Sequence, residues 1–269
     1  LALPSCEAME PNQGGIILGK DNNWYFLTHH GTGDWSGRIV SLLPVTWVQD
    51  WPIPGEVLPQ NIGTMKWDGK IPFKHTEKLS IKRSDDFDED CLAPQWQWNY
   101  QPRKDYFSLT ERPGWLRLKA YRPLETNNLL KAGNTLTQRT FRKQNNDVTI
   151  KMDISNMQDG QKNGLCHFSS QHSAIGIVKE EDACYLEYRK NGNITKGIQI
   201  HSEFVWFRTE WGMDGKSQYY YSLDGDNFLP FGEKYQLTWG NYRGDRIGIY
   251  CFNDKKETGS VDVDYCHYR

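Results

Sequence analysis

Short apolar or alternating apolar and polar runs recur along the whole chain, and none keeps a 3.6-residue period over the length of an amphipathic helix. Early examples are Gly15-Ile16-Ile17-Leu18, Trp24-Tyr25-Phe26-Leu27 and Trp115-Leu116-Arg117-Leu118. Later ones are Val148-Thr149-Ile150-Lys151-Met152, Phe204-Val205-Trp206-Phe207-Arg208, Gln218-Tyr219-Tyr220-Tyr221-Ser222 and Ile247-Gly248-Ile249-Tyr250-Cys251. Turn chemistry separates them: Lys20-Asp21-Asn22-Asn23, Asn191-Gly192-Asn193, Met213-Asp214-Gly215-Lys216 and Leu223-Asp224-Gly225-Asp226. Asn-Gly and Asp-Gly between such runs are strong hairpin signals, because these residues tolerate the positive φ that tight turns require. The pattern predicts an all-β protein.

The runs fall into two blocks. Residues 51–72 are rich in Pro and Gly, residues 74–83 are polar and basic, and Ser84-Asp85-Asp86-Phe87 opens a fresh series of strands. This predicts a β unit over residues 1–70, a linker over 71–84 and a β-sandwich over 85–269. The first block has room for one propeller blade and part of another. Its open strand edges would then need a partner, so further blades are expected to precede it.

Composition sharpens this picture mainly through the aromatic residues. The 269-residue chain has 11 Trp, 14 Tyr and 11 Phe. These can fill a sandwich core, or they can form flat platforms on which sugar rings stack. A net charge of −2 gives no electrostatic reason to expect nucleic acid or an anionic membrane as a partner. No run approaches the roughly 20 apolar residues of a membrane helix. The opening residues, LALPSCEAMEPNQGG, lack the basic start and apolar core of a signal peptide. The six cysteines show no metal-finger spacing; Cys251 and Cys266 lie in flanking strand-like runs and could pair, or all could be buried free thiols.

Two sets of motifs point to a family. The first is Asn12-Gln13-Gly14-Gly15-Ile16, then Asn23-Trp24-Tyr25-Phe26-Leu27, Gly37-Arg38-Ile39-Val40 and Leu43-Pro44-Val45-Thr46-Trp47. It resembles the last part of the five-bladed catalytic propeller of family 43 glycoside hydrolases. The second includes Asp86-Phe87, Gln95-Trp96-Gln97-Trp98-Asn99, Leu109-Thr110-Glu111-Arg112-Pro113-Gly114 and Asn134-Thr135-Leu136-Thr137-Gln138-Arg139. It continues with Tyr221-Ser222-Leu223-Asp224-Gly225 and Val261-Asp262-Val263-Asp264-Tyr265. This series resembles the concanavalin A-like jelly-roll sandwich at the C-terminus of β-xylosidase and α-L-arabinofuranosidase members. The resemblance covers most of the chain. It implies an all-β protein: part of a five-bladed β-propeller followed by a concanavalin A-like β-sandwich.

Such enzymes invert the anomeric centre with two carboxyl groups flanking the glycosidic bond, set far enough apart to admit a water. In the family these groups, and a third that tunes the acid, lie upstream of the Gln-Gly-Gly strand. Glu7 and Glu10 are the only carboxylates before Asn12, and neither stands in the Glu-Gly-Pro setting of the family acid. No catalytic acid or base is therefore expected in this chain. The acidic run from Ser84 to Asp90 reads as solvated turn and strand-entry residues, since a catalytic pair needs perturbed surroundings.

The resemblance does imply residues that line a cleft. Asn12, with Gln13 beside it, stands where the family places a residue at the central channel near a metal or water site. Asparagine offers only a carbonyl oxygen to a hard cation there. Arg38 matches an arginine that reaches the sugar or the catalytic carboxylates, with a surface ion pair as its alternative. His29 and His30 should point to opposite faces of a strand, which argues against a shared metal and leaves His30 for substrate. A loop over residues 239–244 would close the cleft mouth, with Tyr242 stacking on sugar; the alternative is an ordinary hairpin-tip tyrosine. Asp86, Asp88, Asp262 and Asp264 could converge where first and last strands meet and hold a structural calcium, or they could form an exposed strand face.

The expected partners are carbohydrate, as hemicellulose or pectin side-chain sugars, and the missing N-terminal blades, with no nucleic acid and no membrane. No cofactor is required. A non-catalytic carbohydrate-binding sandwich is the competing function, and the propeller-like first block argues against it.

Overall fold

In the computed structural model, residues 11–32, 34–64, 69, 80–240 and 243–269 are described, residues 11 and 12 by their backbone alone. The chain divides into two compact units, Leu1–Ile81 with Asn241–Gly244, and Lys82–Gly240 with Asp245–Arg269. Most of the expected linker, residues 71–79, lies outside the described residues. Regular structure among the described residues is almost entirely strand, with three single-turn 3₁₀ helices.

The first unit is built on a four-stranded antiparallel sheet in chain order, β1 (Pro11–Leu18), β2 (Trp24–Gly31), β3 (Arg38–Val48) and β4 (Trp51–Pro54). The turn from β1 to β2 is organised by Asp21. Its carboxylate accepts from the backbone N–H of Asn23 at 3.2 Å, from Asn23 Nδ2 at 3.0 Å and from Tyr25 OH at 2.7 Å. Between β3 and β4, Val48 faces Trp51 across a two-residue connection. Gln49 and Asp50 there have φ of 50° and 65°, the left-handed pair that a tight hairpin needs. No glycine marks this turn, so sequence inspection does not see it. A short ribbon, Val57–Leu58 with Ile62–Gly63, completes the described part.

The second unit is a sandwich of two antiparallel sheets. One has seven strands in the order Asn193–Ile200, Ala183–Lys190, His172–Glu180, Gln161–Phe168, Arg246–Asn253, Thr135–Arg139 and Gln97–Trp98. The other runs Leu229–Pro230, Lys216–Ser222, Phe204–Trp211, Asn146–Asp153, Ser260–Tyr268, Leu116–Lys119 and Phe107–Ser108, with Tyr235–Gln236 paired to Lys216–Ser222 off this path. The predicted Asn191-Gly192 hairpin is present: Lys190 faces Asn193, and the two turn residues have φ of 50° and 90°.

Alternation sets the core. In Phe204–Trp211 the buried residues are Val205, Phe207, Thr209 and Trp211, and in Asn146–Asp153 they include Val148, Ile150 and Met152. The seven-stranded sheet is covered on its other face too. Leu129 and Ala132 pack there on Cys166, Phe168, Ala174, Tyr250 and Phe252. Strand His172–Glu180 is consequently buried from His172 to Val178 without alternation.

Cys251 and Cys266 are buried free thiols, not a disulfide. Cys251 receives Gln161 Nε2 at 3.4 Å, and burial pushes its thiol up to about 12.

Candidate functional site

The face of the first sheet that carries His30 follows from register. Thr28 lies opposite Ser41 and His30 opposite Ile39, so Thr28, His30 and Ser41 share one face while His29, opposite Val40, takes the other. His30 Nδ1 lies 2.7 Å from Ser41 Oγ, and Thr28 Oγ1 donates to the carbonyl of Gln13 at 3.2 Å. His30 is only 9% exposed. Burial, aided by the neighbouring charge of His29, holds its imidazole below the usual range. It is therefore a neutral ring at neutral pH, with one donor and one acceptor nitrogen, suited to hydroxyl groups. Further along the same sheet, Ile16, Phe26, Val45 and Trp51 line an apolar hollow of about 570 Å³.

Arg38 opens β3 opposite Gly31, directly after a turn that Asp34 builds. Asp34 Oδ1 accepts from Thr32 Oγ1 at 2.9 Å, from the backbone N–H of Ser36 at 2.9 Å and from Ser36 Oγ at 2.5 Å. The Gly37 N–H donates to the Asp34 carbonyl at 3.2 Å, and Gly37 takes φ of 73°. Sequence inspection passed over Asp34 and Ser41. The signal for Asp34 was available, since aspartate two residues before serine between strands is turn chemistry. Ser41 had none, because its pairing with His30 depends on the register of two strands.

The sequence-derived site residues divide accordingly. The backbone of Gln13, His30 and Arg38 is placed on adjacent strands of one sheet. The side chain of Asn12 and all of Tyr242 lie outside the described residues.

The four aspartates expected to converge on calcium do not assemble. The first and last segments do meet, with Asp85 bridged to Cys266. Three of the four, Asp86, Asp262 and Asp264, are engaged by a cationic side chain or a histidine. Asp262 accepts from Arg117 Nε at 2.7 Å and from Arg112 Nη1 at 2.9 Å; the latter also binds Asp153 at 2.6 Å. Asp264 accepts from Lys151 at 2.7 Å, and Asp86 Oδ1 lies 2.7 Å from His267 Nε2. Asp88 is exposed. A bulge opposite Lys151 and Met152 interrupts the alternation that should have aligned Asp262 with Asp264. Among the described residues, no group of three or more His, Cys, Asp or Glu side chains could hold a metal ion.

The tryptophans divide by burial. Trp35, Trp96 and Trp211 are buried packing residues, whereas Trp24 and Trp47 meet edge-on at 5.6 Å with both rings exposed.

Comparison with known proteins adds relatives to this geometry. Residues 84–269 match the β-xylosidase C-terminal concanavalin A-like domain of glycoside hydrolase family 43, GH43. A β-xylosidase of Formosa agariphila is 34% identical over 96% of this chain and 47% of its own length. A non-reducing-end α-L-arabinofuranosidase of Bacteroides ovatus is 31% identical over 39% of this chain and 20% of its own length. Among solved structures, a bifunctional GH43-CE protein of Bacteroides eggerthii superposes with a TM-score of 0.78 at 27% identity, covering 97% of this chain and 34% of that one. The chain thus spans about half the length of the Formosa relative, 47%.

Proposed function

Because the chain belongs to the GH43 family of β-xylosidase C-terminal concanavalin A-like domains, we propose that it is the C-terminal part of an inverting exo-glycosidase. The substrates in this reading are α-L-arabinofuranosides or β-D-xylosides of plant cell-wall polysaccharides or oligosaccharides. The chain supplies cleft walls and a supporting sandwich. The acid that protonates the leaving oxygen and the base that activates water, about 6.5–9.5 Å apart in inverting enzymes, come from elsewhere in the whole protein.

The observation that carries this reading is the union of two parts in one chain. A four-stranded sheet with open apolar residues, including Ile16, Trp24 and Leu27, precedes a sandwich of the family type. A free-standing carbohydrate module has no use for such a sheet. Neighbouring blades would cover it and complete the cleft. Neutral His30 would offer the cleft a hydrogen bond without charge, and Arg38, which by register shares the opposite face with His29, would offer its fixed fork to hydroxyls or carboxylates at the end of the sheet. Tyr242 would cap the mouth.

The test is release of nitrophenol from aryl α-L-arabinofuranoside and aryl β-D-xyloside. The chain alone is expected to give background rates, and the same sequence within its complete natural polypeptide is expected to turn over at least one substrate. Turnover by the chain alone would overturn the reading by making its own carboxylates catalytic. Tight binding of xylo-oligosaccharide by the chain alone would favour a carbohydrate-binding module instead.

A further inference from the structure

Within the sandwich, one groove has no part in that reading. Of about 760 Å³, it opens where strands Asn146–Asp153, Phe204–Trp211 and Lys216–Ser222 lie side by side. Its volume falls within the roughly 300–1,000 Å³ of sites that take small organic molecules. Alternation fixes what lines it. Val148, Thr209 and Tyr219 are buried in the core, so Asp147, Glu210, Gln218 and Tyr220 share the outward face. Glu210 stands directly opposite Asp147 on one side and Gln218 on the other.

Like charges directly opposite each other weaken a sheet, more so where water is partly excluded. Asp147 and Glu210 are both half-buried. Among the described residues neither forms an ion pair. Asp147 Oδ1 accepts from Thr149 Oγ1 at 3.3 Å, and Glu210 accepts from the Tyr220 hydroxyl. Burial, the charge of Glu210 and that hydrogen bond raise the Tyr220 phenol, which therefore stays protonated. Gln218 Nε2 donates to the carbonyls of Tyr219 and Gly232 at 3.1 Å and 3.2 Å, which keeps Oε1 as an acceptor. The lining is thus rich in acceptor oxygens beside an aromatic ring. Elsewhere on this face the cations cap the rings: Arg208 lies over Phe228 at 3.7 Å and Arg112 over Trp115 at 3.8 Å.

The charges around the groove cancel, with Lys216, Lys234 and Arg269 against Asp147, Glu210 and Asp214. A strongly charged polymer gains nothing from such a surface. A neutral ligand with many hydroxyls does, because hydroxyls donate to carboxylates in short, charge-assisted bonds. We propose that this groove binds a neutral glycan chain, with Asp147 and Glu210 receiving its hydroxyls and Tyr220 the face of a sugar ring. That the glycan is a plant cell-wall xylan rests on the glycosidase reading; the preference for a neutral saccharide does not.

Affinity electrophoresis of the intact chain through gels holding neutral arabinoxylan, read against glycan-free gels, tests the site. The chain should be retarded. Glu210→Gln keeps the shape and removes the charge, and it should weaken binding about tenfold. Because it also ends the repulsion with Asp147, this variant should be at least as stable as the parent, a result that a merely structural carboxylate would not give. Tyr220→Ala should weaken binding as much; if it does not fold, Glu210→Gln and Asp147→Asn carry the test. No retardation of the parent, or retardation that survives these substitutions, would overturn the proposal. So would stronger retardation by polygalacturonate, or loss with His30→Ala in place of Glu210→Gln. Nitrophenol release by the chain alone would overturn the glycosidase reading and leave this result untouched. Tight binding abolished by Glu210→Gln would support the groove while counting against that reading, so the two ideas fail separately.

Discussion

Leu116, Leu118, Ile150 and Phe207 of the sandwich are shut between two sheets, whereas Ile16, Leu18, Leu27 and Trp51 of the first unit stay open on a single sheet. The buried apolar side chains described in the first unit are Tyr25, Trp35, Leu43 and Val45. A sheet with apolar residues on its faces needs a second layer. The sandwich makes its own layer and adds a third cover through Leu129 and Ala132. Among the described residues of the first unit, these apolar side chains stay exposed. Residues with the same intrinsic preference for strands therefore contribute very differently to stability in the two places.

The most direct way to break that comparison is to remove the same side chain from each unit. Leu118 is fully buried, and Leu118→Ala should cost about 2–5 kcal/mol through lost burial and the cavity left behind. Leu27 is 45% exposed, and Leu27→Ala should change stability by no more than about 0.5 kcal/mol. Urea denaturation of both variants, read at the midpoint, compares them. Equal costs would mean that Leu27 is covered in solution, for example by a second copy of the chain.

A smaller effect separates the histidines of the two units. Burial, with the charge of Arg189, lowers His172 in the sandwich from 6.5 to about 4. Its folded value lies below its unfolded value, so the unfolded chain binds the extra proton between them. The stability that His172 contributes as a neutral ring is complete above about pH 6.5, falls as the pH drops, and is gone below about 4. A displacement of this size corresponds to roughly 3 kcal/mol. His172→Gln should flatten the fall in stability between pH 6.5 and 4. A variant as pH-sensitive as the parent would show that His172 titrates normally.

Much of this architecture was legible in the sequence, for reasons that differ between places. Asn191-Gly192 needed only local rules, because both residues tolerate the positive φ of a tight turn. The predicted runs from Val148 and from Phe204 lie in paired strands because alternation survives wherever one face meets a core. The Gln49-Asp50 hairpin was invisible, since neighbouring strands impose a left-handed backbone on residues that do not advertise it. The aspartate site failed for another reason. Spacing placed Asp262 and Asp264 together, but spacing cannot foresee a bulge or the arrival of Arg112, Arg117 and Lys151 from other strands. Asp147 and Glu210 lie far apart in sequence and met only through sheet order.

The smallest effect expected concerns His30 and Ser41. In the first unit the histidine is lowered chiefly by burial, as in the sandwich. Its contribution has the same sign as that of His172: present above the unfolded value and lost as the pH falls through the folded one. Ser41→Ala removes the 2.7 Å partner of Nδ1 and should cost about 1 kcal/mol. The loss should appear in the transition of the first unit, followed by the fluorescence of Trp24 and Trp35, and leave the far-ultraviolet transition of the sandwich unmoved. A shift of both transitions together would mean that the two units unfold as one. The open sheet would then draw its stability from the sandwich, and the difference in burial would no longer translate into a difference in independence.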